Sequence, residues 1–492
     1  MKRIIALLIA IFTVLSVLSL ASCAEQQGNN DKGGDTTTQD NSRLDHLPEL
    51  DFEGTSVKFA VAEGNNGSFT ERSIRVEEEN GNSVDSQIIA RNAGIEERLN
   101  VTIDLALITG YKELTSLINS SLASGDTDYD VIGGYQYFDI NLATKGYLLD
   151  LNKLDAYGAD YIDFDAEYWA KSYNDNLQYQ NIRYWITGDL SLRYTGGAYC
   201  TFVNAKLYNE YLNERYGDIY DFVRDGKWTL DALMEMSQLI YGDLNTNEKV
   251  DEEDRVGYAL ELQDSTNGLA IAADVKFSET NPDGSVVLTF GNDKTVSFMS
   301  KLYQLVYENN TFVPANSDSK TTMEFFASGK LGFCTTKVHM AEVYLREMND
   351  DYYIIPFPKF DLNQEEYKGS VHDGVTIFGI NYALDEFQVQ ASAATLELMA
   401  AETLRIVTPE YYDNSMKYKY TRDDNAADMI DIIRNSVTTD FVFAWSSTVG
   451  LGSWIRGNIN PSVSSQIRKS RGQWEKSLAT LIENLEKASV TA

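Results

Sequence analysis

Val57-Lys-Phe-Ala-Val61, Val101-Thr-Ile-Asp-Leu105 and Asp130-Val-Ile-Gly133 are three short β-branched and aromatic runs, and the segments between them decide the fold. From Ser83, which reads as a helix cap, Val84, Ile88, Ile95 and Leu99 fall on one helical face. Leu114, Leu117, Ile118 and Leu122 do the same before the third run. Strands interleaved with helices of this length predict a parallel or mixed α/β sheet. Open sheets of that kind bind ligands beyond the carboxyl ends of their strands. That rim holds Asn65, Asn66, Tyr135, Gln136 and Tyr137, which could equally be solvated loop residues.

A second α/β region begins near Ala198. It contains a helix over Leu230–Ile240 and strands over Val256–Leu260 and Lys330–Cys334. The run DYYIIPFPKF, residues 351–360, reads as extended because its prolines exclude helix. Gly374–Ile380 reads as a strand, Glu386–Leu404 as a long helix, and 471–487 as a last helix with Trp474, Leu478, Leu481 and Leu485 in one stripe. Cys200 and Cys334 sit in apolar runs, as buried thiols or as a disulfide.

The N-terminus is of another kind. Lys2 and Arg3 precede an apolar run from Ile4 to Ala21, and Leu20-Ala21-Ser22-Cys23 ends it. This is the layout of a secretory signal, and its ending resembles a bacterial lipobox, with lipid expected on Cys23. An uncleaved anchor helix is the rival reading. Residues 24–43, AEQQGNNDKGGDTTTQDNSR, show no apolar periodicity and read as a flexible tether with a reach of roughly 25 Å.

Loss of residues 1–22 removes two positive charges, so the formal charge of −33 becomes −35. Phosphate backbones and anionic lipid surfaces select basic patches, so nucleic acid is excluded as a partner. With 43% hydrophobic residues the chain can build a core. Its 30 tyrosines and six tryptophans offer flat apolar faces with polar edges, suited to cores, interfaces and sugar rings alike.

The sharpest local motif lies at 243–254. Asp243, Asn245, Asn247, the Lys249 carbonyl, Asp251 and Asp254 occupy the oxygen-donor positions of a twelve-residue EF-hand loop, predicting a structural Ca²⁺ site. Glu248 stands where glycine is usual, and the last ligand is Asp rather than Glu. The bland alternative is an acidic turn with no ion. Sequence signatures of hydrolases, P-loops and zincins are absent. Only His46, His339 and His372 occur, so no enzyme activity is expected. Paired carboxylates for glycoside hydrolysis keep a cell-surface glycosidase as one rival, and an adhesion lipoprotein is another.

Residues 225–260, DGKWTLDALMEMSQLIYGDLNTNEKVDEEDRVGYAL, resemble the second-lobe segment of extracellular solute-binding proteins of the sugar-transport type. DSQIIARNAGIEER at 85–98 fits the same family, as do FASGKLGFC at 326–334 running on to IPFPK at 355–359, and KYKYTRD at 417–423. The resemblance spans residues 55–490. It implies an α/β, two-lobed periplasmic-binding-protein-like fold with several interlobe crossover segments. After the signal (1–22) and tether (23–48), lobe 1 would take 49–196 plus 374–425, and lobe 2 would take 197–373 plus 426–492. Crossings would fall near Gly196-Gly197, Asp373-Gly374 and residues 423–428, with glycine easing hinge motion at the first two. The ligand would be a solute, with carbohydrate favoured, delivered to the permease of an ABC transporter at the outer face of the cell membrane. The chain itself would be monomeric. Near the crossings and strand ends, Tyr194, His339, Asp373, Trp445 and Trp454 join Asn65, Asn66, Tyr135 and Gln136 as candidate ligand contacts.

Overall fold

The computed structural model describes residues 43–63, 71, 73–110, 112–124, 128–263, 265–416 and 424–491. Cys23, Asn65 and Asn66 therefore lie outside the described residues. Two four-stranded sheets organise residues 43–492. In the first, β1 (Thr55–Glu63) runs parallel to β2 (Val101–Thr109) on one side and to β3 (Val131–Tyr135) on the other. The fourth strand, Thr376–Ile380, arrives much later in the chain and pairs antiparallel with β3, Thr376 opposite Tyr135.

The second sheet is built from β4 (Tyr199–Asn204), β5 (Val256–Leu260), a strand over Leu331–Lys337 and one over Tyr352–Ile355. Every residue of β4, β5 and the Leu331–Lys337 strand is buried, as expected where helices cover both faces of a sheet. Cys200 and Cys334 are buried free thiols on neighbouring strands.

The helices follow the apolar spacing, with local differences at their ends. The first begins at Ser83, but Asn82 is its cap: the Asn82 side-chain oxygen accepts from the Val84 amide at 2.9 Å. Ser83 Oγ instead donates to Glu410 at 2.6 Å. A short extended residue with a carbonyl acceptor caps as well as a hydroxyl does, so the cap falls one residue before the Ser83 that sequence suggests. The last helix runs Val463–Thr491, longer at both ends than its apolar stripe. It packs both on the turn Ile140–Lys145 that follows β3 and on the helix Asp293–Tyr307 beside the second sheet. No helix among the described residues is long and apolar enough to cross a membrane.

Two crossings run side by side between the sheets. Ala198 bridges Val371 antiparallel, and the His372 amide donates to the Gly197 carbonyl at 3.0 Å. Gly374 is required here for a reason other than conformational freedom. A Cβ on it would lie 2.5 Å from the Tyr135 hydroxyl, so its missing side chain is what lets Tyr135 lie against the crossing.

Candidate binding cleft between the two sheets

β3 ends at Tyr135 and the chain turns at once into the short helix Gln136–Asp139. The Asp139 carboxylate fixes that turn, accepting from the Tyr135 amide at 2.9 Å and from the Thr115 hydroxyl. Burial raises its pKa to about 6, against the pull of these donors. The turn presents three rings. Phe138 lies 5.5 Å from Tyr135 and 5.0 Å from Tyr137 between ring centres. The Tyr137 amide also donates to the Asp373 carbonyl at 3.0 Å, tying the turn to the second crossing.

These rings form one wall of a cleft of about 290 Å³. The rest of the lining comes from the second sheet, the segment after β5 and the C-terminal segments: Tyr199, Gln263, Asn267, Phe443, Arg456 and Gly452, the last lying against the Tyr137 ring. Val371, His372 and Asp373 make the floor. The second-sheet and C-terminal lining is held by its own bonds. Asn267 donates to the Gly452 carbonyl at 2.9 Å, and Arg456 donates to the Gln263 carbonyl at 3.0 Å. His372 Nδ1 accepts from the Gly374 amide at 2.9 Å. Flat rings facing amide, carboxylate and guanidinium groups suit a ligand with apolar ring faces and a hydroxylated edge. Asp373 is the one carboxylate among the described lining residues.

The candidates read from sequence divide sharply. Tyr135 and Asp373 line the cleft, as does Tyr137. Gln136 lies beneath it, 2% exposed, donating to the Ala444 carbonyl at 3.0 Å and accepting from the Tyr173 hydroxyl. Along the short helix, successive side chains point about 100° apart, which sends Gln136 inward. His339 is buried, with its amide and Nδ1 both 2.9 Å from the Gly196 carbonyl, so it pins the first crossing. Tyr194 is buried and borders a different groove.

Both tryptophans expected at the ligand are packing residues. Trp445 is 2% exposed against Phe441, and its buried indole nitrogen has no protein partner. Trp454 packs edge-on to Phe290 and Trp474 and donates to Ser470 at 3.1 Å, which holds the turn carrying Arg456. Sequence reading missed Phe138, Tyr199, Gln263, Asn267, His372, Phe443, Gly452 and Arg456. Signals existed for some. Gln263 and Asn267 lie just past the carboxyl end of β5, and Tyr199 and His372 directly adjoin the expected crossings.

The 243–254 loop folds on itself. Asp243 accepts from the Glu248 amide at 3.0 Å, Asn245 from Asn247 at 3.1 Å, and Asn247 from Lys249 at 2.8 Å. Asp251 accepts from Glu253 at 2.9 Å, and the buried Asp254 from Leu244 at 3.0 Å. Glu248 takes φ +56°, the left-handed geometry for which glycine is usual at that position. Asp243 Oδ1 is buried with no partner. Among the described residues, no three His, Cys, Asp or Glu side chains converge as a metal-holding group, so a cation here would also need the two asparagines and the Lys249 carbonyl.

No protein-family model matches the sequence, and no curated protein sequence matches it. Solved structures do. The galacto-N-biose-/lacto-N-biose I-binding protein of an ABC transporter from Bifidobacterium longum superposes with a TM-score of 0.57 at 11% identity, covering 88% of this chain and 98% of that one. A family 1 extracellular solute-binding protein from Bifidobacterium longum subsp. infantis gives 0.53 at 15%, covering 87% and 99%. The extracellular solute-binding protein from Staphylococcus aureus, in complex with maltose, gives 0.53 at 11%, covering 89% and 99%. The chain has the two-lobed α/β fold of these binding proteins.

Proposed function

We propose that this chain is an extracellular solute-binding protein that captures a saccharide between its lobes and delivers it, unaltered, to the permease of an ABC transporter. The observation that carries the reading is the cleft. Rings from both sheets and the polar groups beside them meet over a floor made by a crossing segment, where lobe closure would enclose a ligand. The fold's solved relatives include proteins bound to lacto-N-biose and maltose, which supports a sugar. A single lining carboxylate fits binding better than glycoside hydrolysis, which takes two. Lipid on Cys23 would hold the protein to the outer face of the membrane, and a Cys23→Ala variant should be released or left unprocessed.

Thermal-shift screening against a glycan panel, with peptides as controls, tests the reading, followed by solution scattering on any hit. A saccharide should raise the melting temperature and compact the protein, because ligand favours the closed state by its differential affinity. Peptide-only hits would overturn the carbohydrate reading, and turnover of a hit would favour the glycosidase. The orphaned Asp243 oxygen supports a structural Ca²⁺ held by Asp243, Asn245, Asn247, the Lys249 carbonyl, Asp251 and Asp254. It would neutralise the loop's acids and brace the junction between the helix Leu230–Ile240 and β5.

A further inference from the structure

Arg456 is the only arginine or lysine among the described residues lining the cleft. The chain carries 74 acidic against 41 basic residues, so a guanidinium has carboxylates in abundance to pair with. Arg98 pairs with Asp45, Arg224 with Asp428, Arg434 with Asp189 and Arg471 with Glu475, whereas Arg255 donates to the Ile240 carbonyl at 2.6 Å and lies over the Tyr211 ring, away from the cleft lining. Arg456 has one bond, to the Gln263 backbone carbonyl, and no ion pair among the described residues. Its remaining donors are uncommitted, since a guanidinium carries five N–H groups.

The position is built. Ile455 beside it is fully buried, and the Trp454 ring is wedged between Phe290 and Trp474. The short helix Trp454–Gly457 is thereby anchored, and Arg456 has a fixed base from which to reach the cleft. Closing two lobes over a ligand strips water from whatever lines the cleft. A cation stripped of water without a counter-charge is costly, and hydroxyls alone offer acceptors but no charge. The planar fork of arginine matches a carboxylate in two parallel charge-assisted bonds.

We infer that the ligand is an acidic saccharide, with a uronate-type carboxylate seated on Arg456 and its sugar rings against Tyr137, Tyr199 and Phe443. This rests on the saccharide reading above and narrows it. Asp373, which shares the cleft, is the competing partner: closure could bring it to Arg456 and leave no call for an anionic ligand.

Calorimetric titration of the purified full-length protein decides between them. The probes are oligogalacturonides, their methyl esters, neutral galacto- and gluco-oligosaccharides, and peptides. The acid should bind, and esterification, which removes the charge and keeps the ring, should weaken binding by about 10–100-fold. Arg456→Gln should impose a similar loss on the acid and little further loss on the ester, the signature of a coupled pair. Arg456→Lys should recover part of it. An unchanged melting temperature of the unliganded Arg456→Gln protein separates lost contact from lost fold. Equal binding of acid and ester, or binding of neutral sugars alone, overturns the inference while the saccharide reading stands. Binding of peptides alone overturns both.

Discussion

Two grooves flank the crossings of this protein, and they are opposites. The cleft lined by Tyr135, Asp373 and Arg456 is the smaller, about 290 Å³ against about 530 Å³ for the groove lined by Trp169, Lys171, Asp189, Tyr194 and Arg434. In the larger groove both cations among the described lining residues are held in ion pairs. Lys171 meets Asp165 at 2.7 Å and Asp175 at 3.0 Å, and Arg434 pairs with buried Asp189 and donates to the Glu167 carbonyl at 2.7 Å. The Ser172 hydroxyl donates to Thr438 at 2.8 Å across the same groove. In the smaller cleft a guanidinium has only a backbone oxygen. Arg434 also keeps a buried Nε without a protein partner, so the grooves differ in ion pairing: the larger holds its cations in ion pairs, and the smaller is lined by one that has none among the described residues. The larger groove is fastened between segments, and the smaller one is the site proposed above for a ligand.

The largest expected effect breaks the fastening. Arg434→Met leaves Asp189 buried without its counter-charge and should cost about 3–5 kcal/mol in urea unfolding, as for other broken buried pairs. Adding Asp189→Asn should recover much of that loss. If Arg434→Met unfolds like the parent, the groove is not a fastening. Next comes the 243–254 loop, where Asp243 Oδ1 is buried with no protein partner. Calcium at 100 times its dissociation constant would add about 2.7 kcal/mol, so EDTA should lower the melting temperature and Asp243→Ala should abolish that response. Identical melts with and without EDTA would mean an empty acidic turn. The smallest effect on stability belongs to the cleft. Tyr135→Ala should weaken saccharide binding by about tenfold, the order of 1.4 kcal/mol for one lost ring contact, with a nearly unchanged melting temperature. A large stability loss would instead assign that ring to the core.

The α/β alternation was legible because parallel strands need apolar runs of a distinctive length, and the helices between them carry a clear face. The cleft was legible only where it touches that pattern. Tyr135 and Tyr137 follow a strand end, and Asp373 adjoins a strand that sequence could see. Trp445 and Trp454 pack away from the cleft lining, which sequence could not show because an indole serves a core and a sugar face equally well. Arg456 gave no signal, since what sets it apart is the lack of an ion pair among the described residues, and an absent neighbour leaves no trace in a linear string.

The strand that completes the first sheet is not translated until residues 376–380, although its partner β3 ends at Tyr135. At typical ribosome speeds the edge of β3 waits on the order of 10–50 s for its mate. Through that interval the growing chain carries an open, apolar strand edge, the feature most exposed to mispairing. The two lobes are therefore not separable pieces in time. A fragment ending before residue 376 would lack the strand that closes the earlier lobe, and a chaperone would meet this protein as one long, late-maturing substrate.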